Sequence, residues 1–98
     1  MEKQMAEFEF GVHGSEMPES GHLSVIGRCY KGPVKPGLVF TVADPPDGGD
    51  AVPVQLEVLR IEAYGHTLDE LDEGVTARLF VVGPSVALPD GCVLRGTT

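Results

Sequence analysis

Turn-forming residues are spread along the whole chain and keep every regular element short. The 98 residues include thirteen glycines and eight prolines, about a fifth of the total. Glycine adopts positive φ and proline lacks a backbone donor, so together they end helices and central strands. Between these breaks the apolar residues alternate, as at Phe8, Phe10 and Val12, which share one face. Such short alternation is typical of half-buried β-strands.

Strand-like alternation recurs at residues 22–30, 34–43, 52–65, 75–83 and 92–96. Gly27 lies inside one of these stretches, which predicts a bulge or the close approach of another backbone. Pro36 lacks a ladder donor, so we expect its strand to begin after it or to lie at a sheet edge there. After Val58 the apolar phase changes, with Leu59 and Ile61 on the second face, which predicts a β-bulge in one long strand. The pattern predicts an all-β fold, either a sandwich or a barrel.

The remaining stretches read as turns and loops, with one helical candidate. Residues 13–21 and 44–50 are rich in turn formers, and Gly32 is expected to provide positive φ at a corner with Lys31 and Pro33. Residues 66–74, "HTLDELDEG", have capping-box spacing at the start and a glycine at the end. At this length the segment is a single helical turn or a loop.

Length and charge limit the function classes. The chain fits one domain, residues 1–98. Its formal net charge of −8 repels phosphate backbones, which disfavours RNA. We interpret this acidity first as a solubility feature, with a protein partner that has a basic surface as the alternative. Charges at the start of the chain replace the apolar stretch of a signal peptide, and no apolar run is long enough to span a membrane. We therefore predict a cytoplasmic protein in which Cys29 and Cys92 are buried thiols.

Few residues form a pattern with known chemistry. The sequence contains no GxxxxGK[ST], Asn-Lys-x-Asp or GxSxG motif, so we predict neither nucleotide hydrolysis nor another enzymatic activity, and no cofactor. The three histidines are scattered, and a zinc site would need the fold to gather them with Cys29; they are His13, His22 and His66. The acids between residues 69 and 73 are interpreted as a solvated loop, with a cation site as the alternative.

One basic and aromatic group stands out, within "GRCYKGPVKPG" at residues 27–37. Its members Arg28, Tyr30, Lys31 and Lys35 form the predicted interaction patch, because together they suit a carboxylate, a phosphate or a base. The alternative is that these charges protect a strand edge from pairing with other chains.

The order of these pieces resembles the second domain of translational GTPases, the β-barrel that follows the G domain in elongation factor Tu. The resemblance covers residues 8–97 and rests on Gly27-Arg28, Lys31-Gly32, a Val-Lys-x-Gly stretch at 34–37 and a closing Gly-x-Val-Leu at 91–94. It implies a small antiparallel β-barrel of six to seven strands. The G domain and the third domain of the family have no counterpart here, and Leu38 stands where the family usually has an acid.

Three functions are compatible with these observations. The first is a non-catalytic interaction module, a stand-alone translation-factor-like barrel that engages a protein partner. The second, implied by the resemblance, is translation-associated binding of RNA, either tRNA or the ribosome. The third is a small metal-dependent protein that uses the histidines and cysteines. We favour the first, because the charge is strongly negative and catalytic motifs are missing from the sequence.

Overall fold

A computed structural model describes residues 7–16, 22–83, 88 and 91–97. The regular secondary structure of these residues consists entirely of β-strands, and every strand pairing is antiparallel. The strands are β1 (Glu7–Glu16), β2 (Leu23–Lys31), β3 (Val39–Asp44), β4 (Val52–Ala63), β5 (His66–Leu68), β6 (Thr76–Val82) and β7 (Val93–Thr97). The predicted all-β fold is confirmed. These described residues include no helix long and apolar enough to cross a membrane.

The strands form one sheet whose pairings close into a ring. The order is β3-β7-β1-β2-β6-β4-β5, and an additional β3–β4 pairing joins the two ends. Six strands thus make a barrel-like closed ring, and β5 continues from it as a short hairpin partner of β4. Closure removes most exposed edges, which are otherwise sites of unwanted pairing.

The ring encloses an apolar core made of the faces that alternation predicts. Phe8, Phe10 and Phe40 are fully buried, and the rings of Phe8 and Phe40 meet edge-on with centroids 5.3 Å apart. Burying side chains of this size contributes about 1.5–3 kcal/mol each. The other large buried side chains come from β1, β2, β4, β6 and β7 and from the segments before β3 and β6: Leu56, Ile61, Leu71, Leu79, Leu94, Val12, Val25, Val34 and Val58.

Gly27 marks the closest approach of two backbones, as predicted. A Cβ on Gly27 would overlap the carbonyl oxygen of Gly11 on β1. The β1–β2 register shifts twice nearby, between Glu9 and Phe10 and between Val12 and Gly14. Only a residue without a side chain fits this position.

The predicted bulge in β4 is confirmed, but the predicted position of Leu59 is wrong. The β4–β6 register shifts between Val58 and Arg60, and both Val58 and Ile61 are buried. Leu59 was expected on the second buried face, yet its side chain is 39% exposed. Leu59 is the additional residue of the bulge, which leaves it outside the core.

Three local predictions are wrong. Residues 13–16 are not loop, because they extend β1 against Ser24, Val25 and Ile26 of β2; residues 17–21 lie outside the described chain. The helical candidate at 66–74 instead starts with β5, which pairs with β4 across a tight turn. Gly32 does not have positive φ; the corner has a cis Gly32–Pro33 peptide, and the positive φ of 93° occurs at Gly37.

Candidate functional site

The predicted basic patch is divided by the fold. Arg28 and Tyr30 alternate with buried Gly27 and Cys29, so both lie on the outer face of β2. The Tyr30 side chain is 48% exposed, and its ring lies across Gly11 of β1. Tyr30 therefore leans towards β1.

Each of the two lysines of the patch forms an ion pair with an acidic side chain of this chain. Lys31 Nζ lies 3.3 Å from Glu7 Oε2, and Lys35 Nζ lies 3.8 Å from Glu70 Oε2. All four side chains are about half exposed, so each ion pair contributes less than about 1 kcal/mol. The two lysines are therefore balanced by acids within the chain, while β2 itself is paired on both sides, with β1 and β6.

Arg28 is held on the opposite side of β2, towards β6. Its Nε donates a hydrogen bond of 3.0 Å to the carbonyl oxygen of Gly74. The same turn is tied to β2 through the backbone, since Gly74 N donates to Cys29 O at 2.7 Å and Cys29 N donates to Val75 O at 3.0 Å. These bonds fix the turn and orient the guanidinium of Arg28 on the outer surface.

Strand register places Arg78 of β6 next to Arg28. Arg78 is opposite Ile26 on β2, while Arg28 is opposite Thr76, so the two arginines are diagonal neighbours on one face. Diagonal neighbours in an antiparallel pair lie about 7–8 Å apart. Arg78 alternates with buried Ala77 and therefore also points outwards.

Arg60 of β4 continues the same line. It is opposite Phe80, and Arg78 is opposite Glu62, so Arg60 and Arg78 are again diagonal neighbours. Arg28, Arg78 and Arg60 thus form an oblique row across β2, β6 and β4, which we call the arginine diagonal. It contains three of the seven Lys and Arg residues of a chain whose net charge is −8.

The arginine diagonal is only partly neutralised. Arg60 Nε lies 3.1 Å from Glu62 Oε2, and its guanidinium carbon lies 4.3 Å above the centre of the Phe80 ring, a cation–π contact. Arg78 is half-buried, and its side chain makes no hydrogen bond or ion pair with any residue that the structure describes. Arg28 contacts a neutral carbonyl rather than a carboxylate.

Arg95 differs from Arg78 because it lies beside a carboxylate of this chain. Its Nε lies 2.7 Å from Asp44 Oδ2, an oxygen that is itself buried. Arg95 is opposite Glu9 in the β1–β7 pairing and lines a shallow depression of about 190 Å³ over β1, β3 and β7. It provides a matched comparison for the arginine diagonal.

The structure does not gather the histidines predicted for the metal hypothesis. His13, His22 and His66 are all exposed, whereas Cys29 is buried. Within the described ranges, no group of three or more His, Cys, Asp or Glu side chains is placed to hold a metal ion. Asp69, Glu70, Asp72 and Glu73 are all exposed, as expected for a solvated acidic segment.

Both cysteines are buried, as predicted. Cys29 Sγ lies 3.8 Å from the carbonyl oxygen of Leu71, its hydrogen-bond acceptor. Burial raises the pKa of the Cys29 thiol above 9.0, the charges of Glu73 and Asp72 raise it further, and a hydrogen bond from the Lys31 backbone opposes the rise. Cys29 therefore stays a protonated thiol, which is a poor nucleophile.

Sequence reasoning missed Arg60 and Arg78. Each appears as a single charge at an outward position of a strand, where charges are common. Only the register between β4, β6 and β2 shows that they adjoin Arg28. Comparison of the chain with models of protein families gives no match, and comparison with curated proteins gives no match either.

Proposed function

We propose that this chain is a non-catalytic binding module that engages a protein partner through the outer face carrying the arginine diagonal. In this proposal the module is a barrel of the kind that forms the second domain of translational GTPases, and it acts in the cytoplasm. The guanidinium of Arg78, which is half-buried and has no partner among the described residues, carries the proposal. Its flanking arginines support it.

The energetics of arginine favour a macromolecular partner at this face. A partly desolvated cation without a counter-ion is costly, so a ligand that supplies an anion there is stabilised. Arginine is enriched among the residues that contribute most to protein interfaces. The lysines of the predicted patch already have acidic partners, which makes them weaker contributors than Arg28 and Arg78.

The charge of the remaining surface is consistent with selectivity. The exposed acids of residues 69–73 adjoin the turn that holds Arg28. A partner with a basic surface, which the net charge favours, would complement these acids around the arginine diagonal. Opposite charges arranged in this way give specificity and faster association more than affinity.

The test compares two double variants that remove the same charge. Arg28→Ala with Arg78→Ala removes the diagonal, and Lys31→Ala with Lys35→Ala removes the occupied lysines. Affinity capture from the native cell, with thermal unfolding to establish folding, should yield a stoichiometric protein partner for wild type and the lysine variant only.

Three results would contradict the proposal. Equal capture of the partner by both double variants would show that the arginines are not the contact. Salt-sensitive retention of tRNA or ribosomes, in place of a protein, would favour the RNA-binding alternative. Stoichiometric zinc by elemental analysis would favour the metal-dependent alternative.

A further inference from the structure

We infer that the arginine diagonal binds an extended acidic segment of the partner, with carboxylates at alternate residues. This inference rests on the proposed function and specifies the chemistry of the partner at that face. It depends on the spacing of the three strand positions that carry the arginines, on the remaining hydrogen-bonding capacity of the guanidiniums, and on the aromatic rings beside them.

The central guanidinium is the best anion receptor of the row. Arg78 is half-buried and has no carboxylate from the described part of the chain, although Glu62 is opposite it in the register. The Glu62 carboxylate lies on Arg60 instead, at 3.1 Å. A carboxylate bound to Arg78 by two parallel N–H donors would replace water at a site where hydration is already reduced.

The spacing of the row suits an extended peptide. Arg28, Arg78 and Arg60 are successive diagonal neighbours, about 7–8 Å apart. Alternate residues of an extended chain lie about 6.6 Å apart and point to the same side. The flexible arginine side chains span the small difference, so two or three alternate carboxylates reach the row at once.

The aromatic rings favour a carboxylate over a nucleic-acid base. Binding of single-stranded nucleic acid uses aromatic faces on which bases stack. Here the guanidinium of Arg60 covers one face of Phe80 at 4.3 Å, and the Tyr30 ring lies across Gly11.

The probe is a short capped peptide of alternating threonine and glutamate, labelled for fluorescence anisotropy. The same peptide with glutamine in place of glutamate tests the charge requirement, and a uridine oligonucleotide of equal charge tests the nucleic-acid source. Arg78→Gln and Arg95→Gln are the matched variants, since both remove one cation from a strand but only Arg95 has its own carboxylate partner.

The glutamate peptide should bind wild type in a salt-sensitive manner, and Arg78→Gln should weaken it by about fivefold or more. Arg95→Gln should change the affinity by less than about twofold, and the glutamine peptide should bind at least about tenfold more weakly. Absence of glutamate-peptide binding, an equal loss in both variants, or tighter Arg78-dependent binding of the oligonucleotide would overturn the inference.

Failure here is separable from failure of the proposed function. If the peptide does not bind, but cellular capture of a protein partner still requires Arg28 and Arg78, the binding module stands and only the acidic-segment chemistry is overturned. If capture does not depend on the arginines, the docking face itself is wrong, whatever the peptide does.

Discussion

Tyr64 occupies a backbone conformation that a different residue would favour. Tyr64 and Gly65 link β4 to β5 with φ values of 54° and 77°, and Ala63 is paired with His66 across them. Two positive φ values in a two-residue hairpin are the pattern of a type I′ turn, for which Asn-Gly is preferred. The Tyr64 side chain is 83% exposed, so it gains little packing in return.

Replacing Tyr64 with asparagine should therefore stabilise the protein. A side chain in the left-handed region costs about 1–2 kcal/mol, and asparagine relieves a substantial part of this cost. We expect Tyr64→Asn to raise the free energy of unfolding by about 0.5–1 kcal/mol. For a domain of this size that corresponds to a rise in Tm of about 2–8 °C.

Urea titration and calorimetry of a small set of variants isolate the backbone effect. Tyr64→Ala removes the ring but keeps a Cβ at φ 54°, so its stability should stay close to wild type. Gly65→Ala should lower stability by about 1 kcal/mol, because it places a Cβ at φ 77°. If Tyr64→Asn is no more stable than Tyr64→Ala, the left-handed strain is not the controlling term and the reasoning is refuted.

Three further predictions concern stability and pH. Gly27→Ala should lower the free energy of unfolding by more than about 2 kcal/mol because of its overlap with Gly11; urea titration checks this against Gly14→Ala, where no atom lies within 4 Å, and equal effects would contradict it. Burial raises the pKa of Cys29 in the folded protein, so the contribution of this thiol to folding stability is fully present below pH 9.0. That contribution is lost as the pH rises above 9.0, because the thiol of the unfolded chain ionises first. The free energy of unfolding, measured from pH 8 to 10.5, should therefore decline less steeply with pH in Cys29→Ala than in wild type. An equal decline in both proteins would count against burial of Cys29 as the cause. Lys35→Ala should change stability by less than about 1 kcal/mol in chemical denaturation, since its ion pair is half exposed, and a larger loss would show a stronger contact.

The strands were predictable because their signal is local. The faces of β1 and β6 follow directly from alternation, and the positions of Gly27 and Pro36 agree with the close approach and the strand start that their chemistry predicts. The hairpin at β5 was not predictable in this way. Its acids and capping-box spacing favour a helical turn locally, but pairing with β4 across the turn outweighs that preference.

The candidate site depends on information that no single strand contains. Of the four residues in the predicted patch, Arg28 and Tyr30 share an outer face, while Lys31 and Lys35 face acids from different segments. The sequence analysis grouped the four residues because they are close together in the chain, around one corner. The Lys31 contact depends on the pairing of β1 with β2, and the Lys35 contact depends on the bridge between Val34 and Leu71.

The bulge in β4 links the core to the arginine diagonal. If Leu59 were an ordinary strand residue instead of the additional residue of a bulge, simple alternation after Val58 would turn Arg60 inwards and Ile61 outwards. The register shift instead buries Ile61 and leaves Arg60 outside, against the ring of Phe80. The apolar phase change, which sequence alone reveals, thus already requires Arg60 to point outwards. The identity of its neighbours requires the register, because a strand's own sequence does not state which residues of β6 and β2 will lie beside it. The arginine diagonal can therefore be identified only when the pairing of β4, β6 and β2 is known.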